Sequence, residues 1–340
     1  MPVVRPFRAL RYAEAAGPLG ALVAPPYDVI DEAQRQRYLA QSPHNVVHLT
    51  LPDSEERAGR DLAAWRAEGL LREEEPSYWW IAQDYTGPDG VARTREGFAA
   101  SVPVTPYGQG DVLPHERTHA GPKEGRLRLL RATRTQLEPI FLLYDDDPLL
   151  ERPAREPVMD VDEGGVRTRV WPLAGEGLET PALLIADGHH RYETAVAFRE
   201  EHPEATHTFA VLVSARAPGL EIFPTHRIVH SLGDVPATEV AAPGDGVTLY
   251  RGGRYFRVET DDDFGPRVVE RLAPEGVTYT AQAGEAVAAV DRGDAEAAFL
   301  LQPVTVEQVA RFAHARETMP QKSTFFYPKL TSGLLFHPLA

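Results

Sequence analysis

The sequence predicts an α+β fold from three observations. Short strands separated by turn residues form two hairpins, one segment has clear helical periodicity, and strands and helices do not alternate as in a regular βαβ sheet. The 340 residues suffice for one large domain or two ordinary ones. A stretch rich in Pro, Gly and Ala, Asp234–Gly246, predicts a boundary between a core domain (residues 1–233) and a smaller α/β lobe (residues 234–340), whose C-terminal segment returns to the functional site.

The hairpins and one helix are the clearest local elements. In SYWWIAQDYTGPDGVARTREGFAASVPV, two alternating runs flank the turn Pro88–Gly90. PVMDVDEGGVRTRVWPL predicts a second hairpin that turns at Gly164 and Gly165. In the segment SEERAGRDLAAWRAEGLLREE, Ser54 is a candidate helix N-cap. The apolar stripe of this helix is predicted to consist of Leu62, Trp65, Leu70 and Leu71.

Charge and composition narrow the function classes. With 50 acidic and 35 basic side chains the net charge is −15, which disfavours nucleic acid as the primary partner. The chain has no cysteine, so disulfides and thiolate zinc sites are excluded. No segment approaches the ~20 apolar residues of a membrane span, and the first residues lack the apolar run of a signal peptide. We therefore expect a soluble cytoplasmic protein without a membrane partner.

One run places several polar groups directly after an apolar strand. In ALLIADGHHRYETAVAFREE, Leu183–Ala186 reads as a buried strand. The following apolar residues Tyr192, Ala195, Val196 and Phe198 recur at helical spacing. The residues Asp187–Arg191 therefore occupy a strand-to-helix turn, where a helix start favours an anion such as phosphate. The alternative is a simple helix cap by Asp187 with exposed histidines.

Four further polar clusters read as loops on a rigid scaffold: APPYDVI, LPHERTHAGPKEGRLRLL, FPTHRIVH and QKSTFFYPKLTSGL. The chain has 32 arginines but only three lysines, and Lys123, Lys322 and Lys329 all lie in these clusters. A lysine in such a chain can mark a place that needs a compact ammonium group, although chance and codon bias explain the distribution equally well. We expect the five clusters, including the box at Asp187, to converge on one pocket.

The motif HERTH, His115–His119, matches a zinc-protease pattern that requires a helix through both histidines. The Gly-Pro pair at residues 121–122 ends such a helix at or before His119, and Arg117 beside the metal would oppose binding. A metal-dependent hydrolase is therefore the least favoured interpretation. A phosphate-binding or acid/base loop is preferred.

The motifs PFRALRY, APPYDVI, NVVHL, PHERT, ADGHHRYETA, PTHR, MPQKSTFFYPKL and GLLF resemble the bacterial and archaeal family catalogued as domain of unknown function 1015, from Pro6 to Phe336. The strand followed by Asp-Gly-His-His-Arg is also similar to the phosphate-binding box of the ParB/sulfiredoxin superfamily. That resemblance implies an α+β core of this type, elaborated with extra strands, hairpins and helices. Members bind ATP or CTP, and some phosphorylate free serine or transfer phosphate to a sulfinate.

Carried onto this chain, the ParB/sulfiredoxin resemblance implies phosphate contacts from Gly188, His189, His190 and Arg191. It makes Asp187 the group that orients the box or a metal-bound water. Sulfinate repair relies on a cysteine that this chain lacks. ParB-type switches also carry a DNA-binding helix-turn-helix and a basic surface, neither of which is evident here.

Phosphoryl transfer requires cations around the developing charge and a carboxylate that takes the proton of the acceptor. The catalytic candidates are Glu116, Asp28, His115 and Asp187. Further candidates for phosphate or nucleotide binding are Arg117, Thr118, His226, Arg227, Lys123 and Lys329. Asp28 or Glu116 is also a candidate magnesium ligand, and Glu116 is the preferred base because it lies between His115 and Arg117. His226 is alternatively a packed histidine.

No Gly-x-x-x-x-Gly-Lys-Ser/Thr motif occurs, which excludes an ordinary P-loop kinase. The sequence predicts a small-molecule kinase that uses ATP or ADP with magnesium and acts on a hydroxylated metabolite such as serine or a similar amino acid. The alternatives are a phosphomonoester hydrolase and a non-catalytic regulatory protein that binds a nucleotide or metabolite.

Overall fold

The computed structural model describes residues 1–116 and 120–339. Their contacts divide the chain into two compact units: unit 1 comprises residues 1–114, 120–220 and 328–339, and unit 2 comprises residues 115–116 and 221–327. Each unit combines a sheet with helices, so the predicted α+β class is confirmed. The boundary expected after residue 233 differs from this division and stays a prediction about independently folding domains.

The described residues form eight α-helices: α1 (Glu32–Gln41), α2 (Val47–Thr50), α3 (Glu55–Ala67), α4 (Ala120–Thr133), α5 (His189–Glu201), α6 (Gly265–Leu272), α7 (Ala283–Asp291) and α8 (Val306–His314). Short 3-10 turns cover Glu14–Ala16, Leu19–Ala21 and Tyr27–Val29.

The strands of unit 1 are β1 (Val3–Val4), β2 (Leu10–Tyr12), β3 (Leu71–Glu73), β4 (Tyr78–Thr86), β5 (Ala92–Pro103), β6 (Val112–Leu113), β7 (Thr135–Gln136), β8 (Ile140–Tyr144), β9 (Met159–Glu163), β10 (Val166–Leu173), β11 (Leu178–Glu179), β12 (Leu183–Asp187), β13 (His207–Ser214) and, near the C-terminus, β22 (His337–Pro338). The strands of unit 2 are β14 (Glu221–Phe223), β15 (His226–Val229), β16 (Ala237–Val240), β17 (Thr248–Arg251), β18 (Arg254–Val258), β19 (Val277–Thr280), β20 (Ala297–Leu300) and β21 (Phe325–Tyr327).

Unit 1 is built on a mixed eight-stranded sheet of order β6-β12-β8-β13-β5-β4-β10-β9. The β6–β12 and β8–β13 pairs are parallel, and the remaining pairs are antiparallel. Both predicted hairpins are confirmed, because β4 pairs with β5 across Pro88–Gly90 and β9 pairs with β10 across Gly164 and Gly165.

The two faces of this sheet carry different side chains, since neighbouring residues of a strand point to opposite faces. One face packs Phe98, Leu142, Ile185 and Leu212 with Tyr192 of α5 in a single apolar core. Each fully buried large apolar side chain of this cluster contributes roughly 1.5–3 kcal/mol to folding. The helix that starts after β12 is therefore held rigidly on the sheet.

The opposite face is polar in places and is contacted by the C-terminal segment, residues 328–336. Arg95 on β5 donates a hydrogen bond to the Pro328 carbonyl at 2.6 Å. The hydroxyl of Thr168 on β10 lies 3.3 Å from that of Thr331. This segment carries Lys329 back to the sheet after the chain has completed unit 2.

Helix α3 matches its predicted start but not its predicted end. The Ser54 hydroxyl accepts the Arg57 backbone N–H at 3.2 Å, so the predicted N-cap is confirmed and contributes about 1 kcal/mol. The helix ends at Ala67, and Gly69 adopts a left-handed φ of 73°. The prediction that Leu70 and Leu71 extend the helical stripe is wrong, because this glycine terminates the helix before them.

Unit 2 contains an antiparallel six-stranded sheet of order β16-β18-β17-β20-β15-β19. Its core includes Val229, Leu249, Val268 and Phe299. The segment Asp234–Gly246 lies within this unit and supplies β16 at one edge of the sheet. The first and last strands of residues 221–327, β14 and β21, pair with each other. None of the helices within residues 1–116 and 120–339 is long and apolar enough to cross a membrane.

Candidate functional site

The turn between β12 and α5 requires a glycine for two reasons. Gly188 is the N-cap of α5 with φ 94° and ψ 30°, a left-handed conformation that costs other residues strain. A Cβ added there would lie 2.9 Å from Nε of Arg191. The predicted strand-turn-helix is confirmed, and the alternative that Asp187 caps the helix is wrong because the N-cap is Gly188.

The carboxylate of Asp187 brings two cations together at this helix start. Lys329 Nζ donates to one carboxylate oxygen of Asp187 and Arg191 Nη2 donates to the other. Arg191 Nη1 also donates to the Pro139 carbonyl. The three charged side chains are mostly buried, with exposed fractions of 17% for Asp187, 11% for Arg191 and 21% for Lys329. The structure thus joins three of the residues that the sequence predicts for the site.

Burial and neighbouring charges shift the pKa values of Asp187 and Lys329 in opposite directions. Burial alone would raise the pKa of Asp187, but the charges of Lys329 and Arg191 outweigh it and hold that pKa below its ordinary value. Burial would lower the pKa of Lys329, yet the charges of Asp187 and then Asp28 raise it. Both groups therefore stay charged at neutral pH, and Asp187 is an orienting group and a poor proton acceptor.

An aromatic and two more charged groups surround this triad. The Arg126 guanidinium lies 3.6 Å from the centre of the Tyr27 ring. The buried carboxylate of Glu138 accepts the Tyr27 backbone N–H at 3.0 Å and the Ser332 hydroxyl at 2.8 Å. Burial raises the pKa of Tyr27, while the charges of Arg191 and Arg126 oppose this effect. The motif APPYDVI therefore contributes Tyr27, and the charge of the exposed Asp28, to the surroundings of the box.

Cations are not outnumbered by carboxylates around the box, although they are outnumbered in the chain as a whole. Interacting charges around the box include four cations, Lys329, Arg191, Arg126 and Arg95, against three carboxylates, Asp187, Asp28 and Glu138. The chain as a whole carries −15. Two cations, Lys329 and Arg191, at the positive end of a helix dipole favour an anionic ligand.

His189 and His190 form the first two positions of α5 in unit 1; His189 is buried, and the His190 carbonyl accepts the Thr194 hydroxyl at 2.7 Å. The other predicted residues that the structure describes lie in unit 2. Glu116 accepts the Lys322 backbone N–H at 2.6 Å, and Arg227 Nη2 donates to the Lys322 carbonyl at 3.1 Å. The buried His115 ring lies 3.1 Å from the Thr324 hydroxyl. Burial lowers the pKa of Arg227 to about 10, opposed by the nearby Tyr279 and Glu116. These side chains form a second polar cluster, and its convergence with the box stays a prediction.

His226 has the environment of a packed neutral histidine. It is 5% exposed, and its Nδ1 accepts the Leu301 backbone N–H at 3.1 Å. Burial, together with the charge of Arg227, lowers the pKa of His226 to about 4. His226 is therefore uncharged at neutral pH and offers no positive charge to a phosphate.

The described residues include only part of the HERTH motif and not all of the candidate side chains. Arg117, Thr118 and His119 lie outside the described residues, as does the side chain of Lys123. His115 and Glu116 are not helical, and Glu116 forms a bridge with Met319, so the helical arrangement of HERTH is not formed at these positions. Within residues 1–116 and 120–339, no group of three His, Asp or Glu side chains could hold a metal ion.

The sequence interpretation missed Arg95 and Gln83, which lie on the sheet face beneath the C-terminal segment. Arg95 is 2% exposed and Gln83 is 1% exposed. A local signal existed in the first half of β5, where exposure alternates along the strand and Arg95 is buried between the exposed Thr94 and the half-buried Glu96. An inward arginine in a core strand is unusual and indicates a specific role.

The fold and this cluster define an α+β protein whose largest sheet presents a positively charged helix start. The chain belongs to the family described as "Protein of unknown function (DUF1015)", whose sequence model matches residues 4–292. The family resemblance noted from the sequence is thereby confirmed. A search of the curated proteins found no significant match.

Solved structures with distant similarity include three examples. A conserved hypothetical protein from Pyrococcus furiosus has 14% identity and a TM-score of 0.37, covering 64% of this chain and 87% of its own. A free serine kinase in complex with AMP has 15% identity and a TM-score of 0.39, with 64% and 83% covered. SbnI with C-terminal truncation from Staphylococcus aureus has 12% identity and a TM-score of 0.43, with 68% and 84% covered. Similarity at this level gives no residue-by-residue correspondence, and the likeness to the ParB/sulfiredoxin box stays a prediction.

Proposed function

We propose that the start of α5 binds the phosphate of a nucleotide and that the chain is a nucleotide-dependent phosphotransferase acting on a small hydroxylated metabolite. The observation that carries the proposal is the pairing of Lys329 and Arg191 on one carboxylate at a helix start capped by Gly188. Asp187 holds the two cations side by side, and their positions are fixed before a ligand arrives. Such preorganisation favours charge stabilisation in phosphoryl transfer.

The residues fit a phosphate group better than they fit a metal at Asp187. Both oxygens of Asp187 already accept hydrogen bonds from cations, so a magnesium ion would have to displace Lys329 or Arg191. The exposed carboxylate of Asp28 is the better candidate for a magnesium ligand in this unit. When bound, a nucleotide would supply the phosphoryl group, with magnesium neutralising its charge.

In the proposed reaction, the acceptor hydroxyl oxygen forms a bond to phosphorus as the bond between phosphorus and the leaving nucleotide breaks. Lys329 and Arg191 stabilise the negative charge on the transferred group. A carboxylate takes the proton of the acceptor hydroxyl, and Asp28 is the candidate whose charge acts on Lys329 and Arg191. Glu116 remains the second candidate, although its carboxylate accepts a backbone hydrogen bond that holds residue 322.

A non-catalytic nucleotide-binding regulatory protein is the second candidate function. The observation that favours it is the state of Asp187, because a carboxylate held ionised by two cations is a poor base. Both functions require phosphate binding at the box, and they differ only in turnover. A serine or another small hydroxy amino acid is the acceptor that we propose to test first.

The test is a thermal-unfolding screen against ATP, ADP, AMP and inorganic phosphate with and without magnesium. A ligand at 100 times its Kd should stabilise the protein by about 2.7 kcal/mol. Lys329→Met should weaken binding ~10-fold or more, because a charge-assisted hydrogen bond is lost. Lys322→Met is the matched control, since it removes a lysine outside the box.

Turnover is then measured as nucleotide consumption with serine as the acceptor. Binding without turnover would support the regulatory function. Binding that is unaffected by Lys329→Met would refute the proposed site.

A further inference from the structure

The segment that carries Lys329 is attached to the sheet by a pair of buried polar side chains. Gln83 on β4 and Arg95 on β5 are directly opposite each other in the antiparallel ladder. Arg95 Nη2 donates to the Pro328 carbonyl at 2.6 Å and also to Oε1 of Gln83. Gln83 Nε2 donates to the Lys329 carbonyl at 3.3 Å. The carbonyl groups of Pro328 and Lys329, two consecutive residues of the C-terminal segment, are therefore held by these side chains.

Protein stability alone does not explain a charged residue at position 95. Burial lowers the pKa of Arg95 to about 10, opposed by Tyr85 and Asp187, so the guanidinium remains charged at neutral pH while only 2% exposed. It lies 4.6 Å from the centre of the Phe141 ring, and its Nη1 is buried with no hydrogen-bond partner among the described residues. Apolar residues at such a position are commonly as stabilising or more so, because burying a charge and leaving a donor unmade both cost free energy.

The sheet register connects this pair to the box. Phe141, on which the Arg95 guanidinium stacks, is the register partner of Asp187 on the neighbouring strand β12. The charge of Asp187 also acts on Arg95. Lys329 is therefore fixed from two sides, with its carbonyl on Gln83 and its ammonium on Asp187.

We propose that Arg95 and Gln83 are positioning residues that hold the Lys329 ammonium against Asp187 and so fix the cation that meets an incoming phosphate. Lysine has a long side chain with high rotamer entropy, and holding its main chain in place reduces the freedom that is lost when a ligand binds. The inference rests on the proposed function only for the identity of the ligand. The effect on Lys329 itself exists without any ligand.

The first experiment measures the titration of Lys329 directly. Reductive ¹³C-methylation labels the amino groups of the folded protein, and with only three lysines in the chain their signals can be assigned by Lys→Arg variants. In the unaltered protein, the pKa of Lys329 should be higher than that of an ordinary lysine. In Gln83→Met, which removes hydrogen bonds but no charge, its pKa should fall toward the ordinary value.

Gln136→Met is the matched control. Gln136 is another buried glutamine of unit 1, and it donates to the Thr208 hydroxyl at 2.8 Å. This variant should lower stability to a similar degree and leave the titration of Lys329 unchanged. An unchanged titration in Gln83→Met, or an equal change in the control, would overturn the proposal.

Two variants at Arg95 test whether a cation that donates hydrogen bonds is needed at this position. Arg95→Met removes the charge and the donors, whereas Arg95→Lys keeps the charge and a shorter donor group, so the pKa of Lys329 should be closer to that of the unaltered protein in Arg95→Lys than in Arg95→Met. Because Gln83→Met tests the same contact, the proposal remains testable if Arg95→Met fails to fold.

The second experiment titrates inorganic phosphate calorimetrically, and Gln83→Met should bind it ~10-fold more weakly than the unaltered protein. If the unaltered protein binds no phosphate, the proposed function fails while the Lys329 titration still decides the positioning role. If both proteins bind phosphate equally although the pKa of Lys329 differs between them, the proposal that the position of Lys329 serves the ligand is wrong.

Discussion

Replacing Asp187 by asparagine should destabilise unit 1 strongly, because the substitution keeps the shape of the side chain and removes its charge. Lys329 and Arg191 would then be two neighbouring cations without their shared carboxylate, and they are only 21% and 11% exposed. Breaking a buried ion pair by removing one partner costs roughly 3–5 kcal/mol, and the remaining exposure of this cluster places the loss near the lower end, at about 3 kcal/mol. For a unit of this size, that corresponds to a fall in Tm of roughly 6–12 °C.

The assay is thermal unfolding followed by circular dichroism, with Asp160→Asn as the control. Asp160 also pairs with an arginine, Arg167, but these side chains are 38% and 55% exposed, so its loss should cost less than ~1 kcal/mol. Added phosphate should recover part of the loss in Asp187→Asn, because the anion replaces the missing charge. Equal Tm shifts in the two variants would refute the reasoning that the pair is buried and strong.

The stability difference between the unaltered protein and Asp187→Asn should depend on pH in a definite direction. The folded-state pKa of Asp187 lies below its unfolded value of 3.8, so its stabilising effect is fully present above that value and is lost as the pH falls through the folded-state pKa. The stability gap between the unaltered protein and Asp187→Asn should therefore be constant near neutral pH and narrow below pH 3.8. A gap that widens in acid would contradict the ionised state assigned to Asp187.

Three further outcomes are expected. In urea unfolding, Gly188→Ala should lower stability more than Gly90→Ala. Both glycines have a positive φ, but only a Cβ at position 188 would meet the Arg191 guanidinium. Equal losses of stability in the two variants would exclude that contact. His226 has a folded-state pKa of about 4 against 6.5 in an unfolded chain, so the unfolded state binds its proton first and stability should fall by up to about 3 kcal/mol as the pH drops through this interval. In urea unfolding at a series of pH values, His226→Gln should reduce that slope without abolishing it, because burial also lowers the pKa of His337 to about 4. Asp28→Asn should reduce turnover ~10²–10⁴-fold with nucleotide binding largely retained if Asp28 is the base, while the same loss in Glu116→Gln would transfer the role to Glu116.

Local elements were predictable because the physical causes of their formation are local. The hairpin of β4 and β5 follows from two alternating runs around Pro88–Gly90, and the start of α3 follows from the hydroxyl of Ser54. The turn at Gly188 was equally readable, since an apolar strand, a glycine and a helical pattern succeed one another directly.

The interactions that assemble the site were not predictable in this way. Asp187 and Lys329 are separated by 142 residues, and no periodicity reports such a pairing. Each side chain looked like a polar group in a loop, and only the sheet order of unit 1 brings Arg95 to the same face as the C-terminal segment. The sequence predicted Arg191 only as a phosphate ligand. In the structure its guanidinium also donates hydrogen bonds to the Asp187 carboxylate and the Pro139 carbonyl.

The pairing of β14 with β21 means that the chain leaves unit 1 and returns to it at almost the same point. Glu221 is directly opposite Tyr327 in this two-stranded ribbon, and paired residues have Cα atoms about 5 Å apart. The distance between Leu220 and Pro328 is therefore set by the ribbon, whatever the length of the chain between its ends. Changes in the length of the loops between Phe223 and Phe325 are therefore expected to leave Pro328 in place, and with it the approach of Lys329 to Asp187.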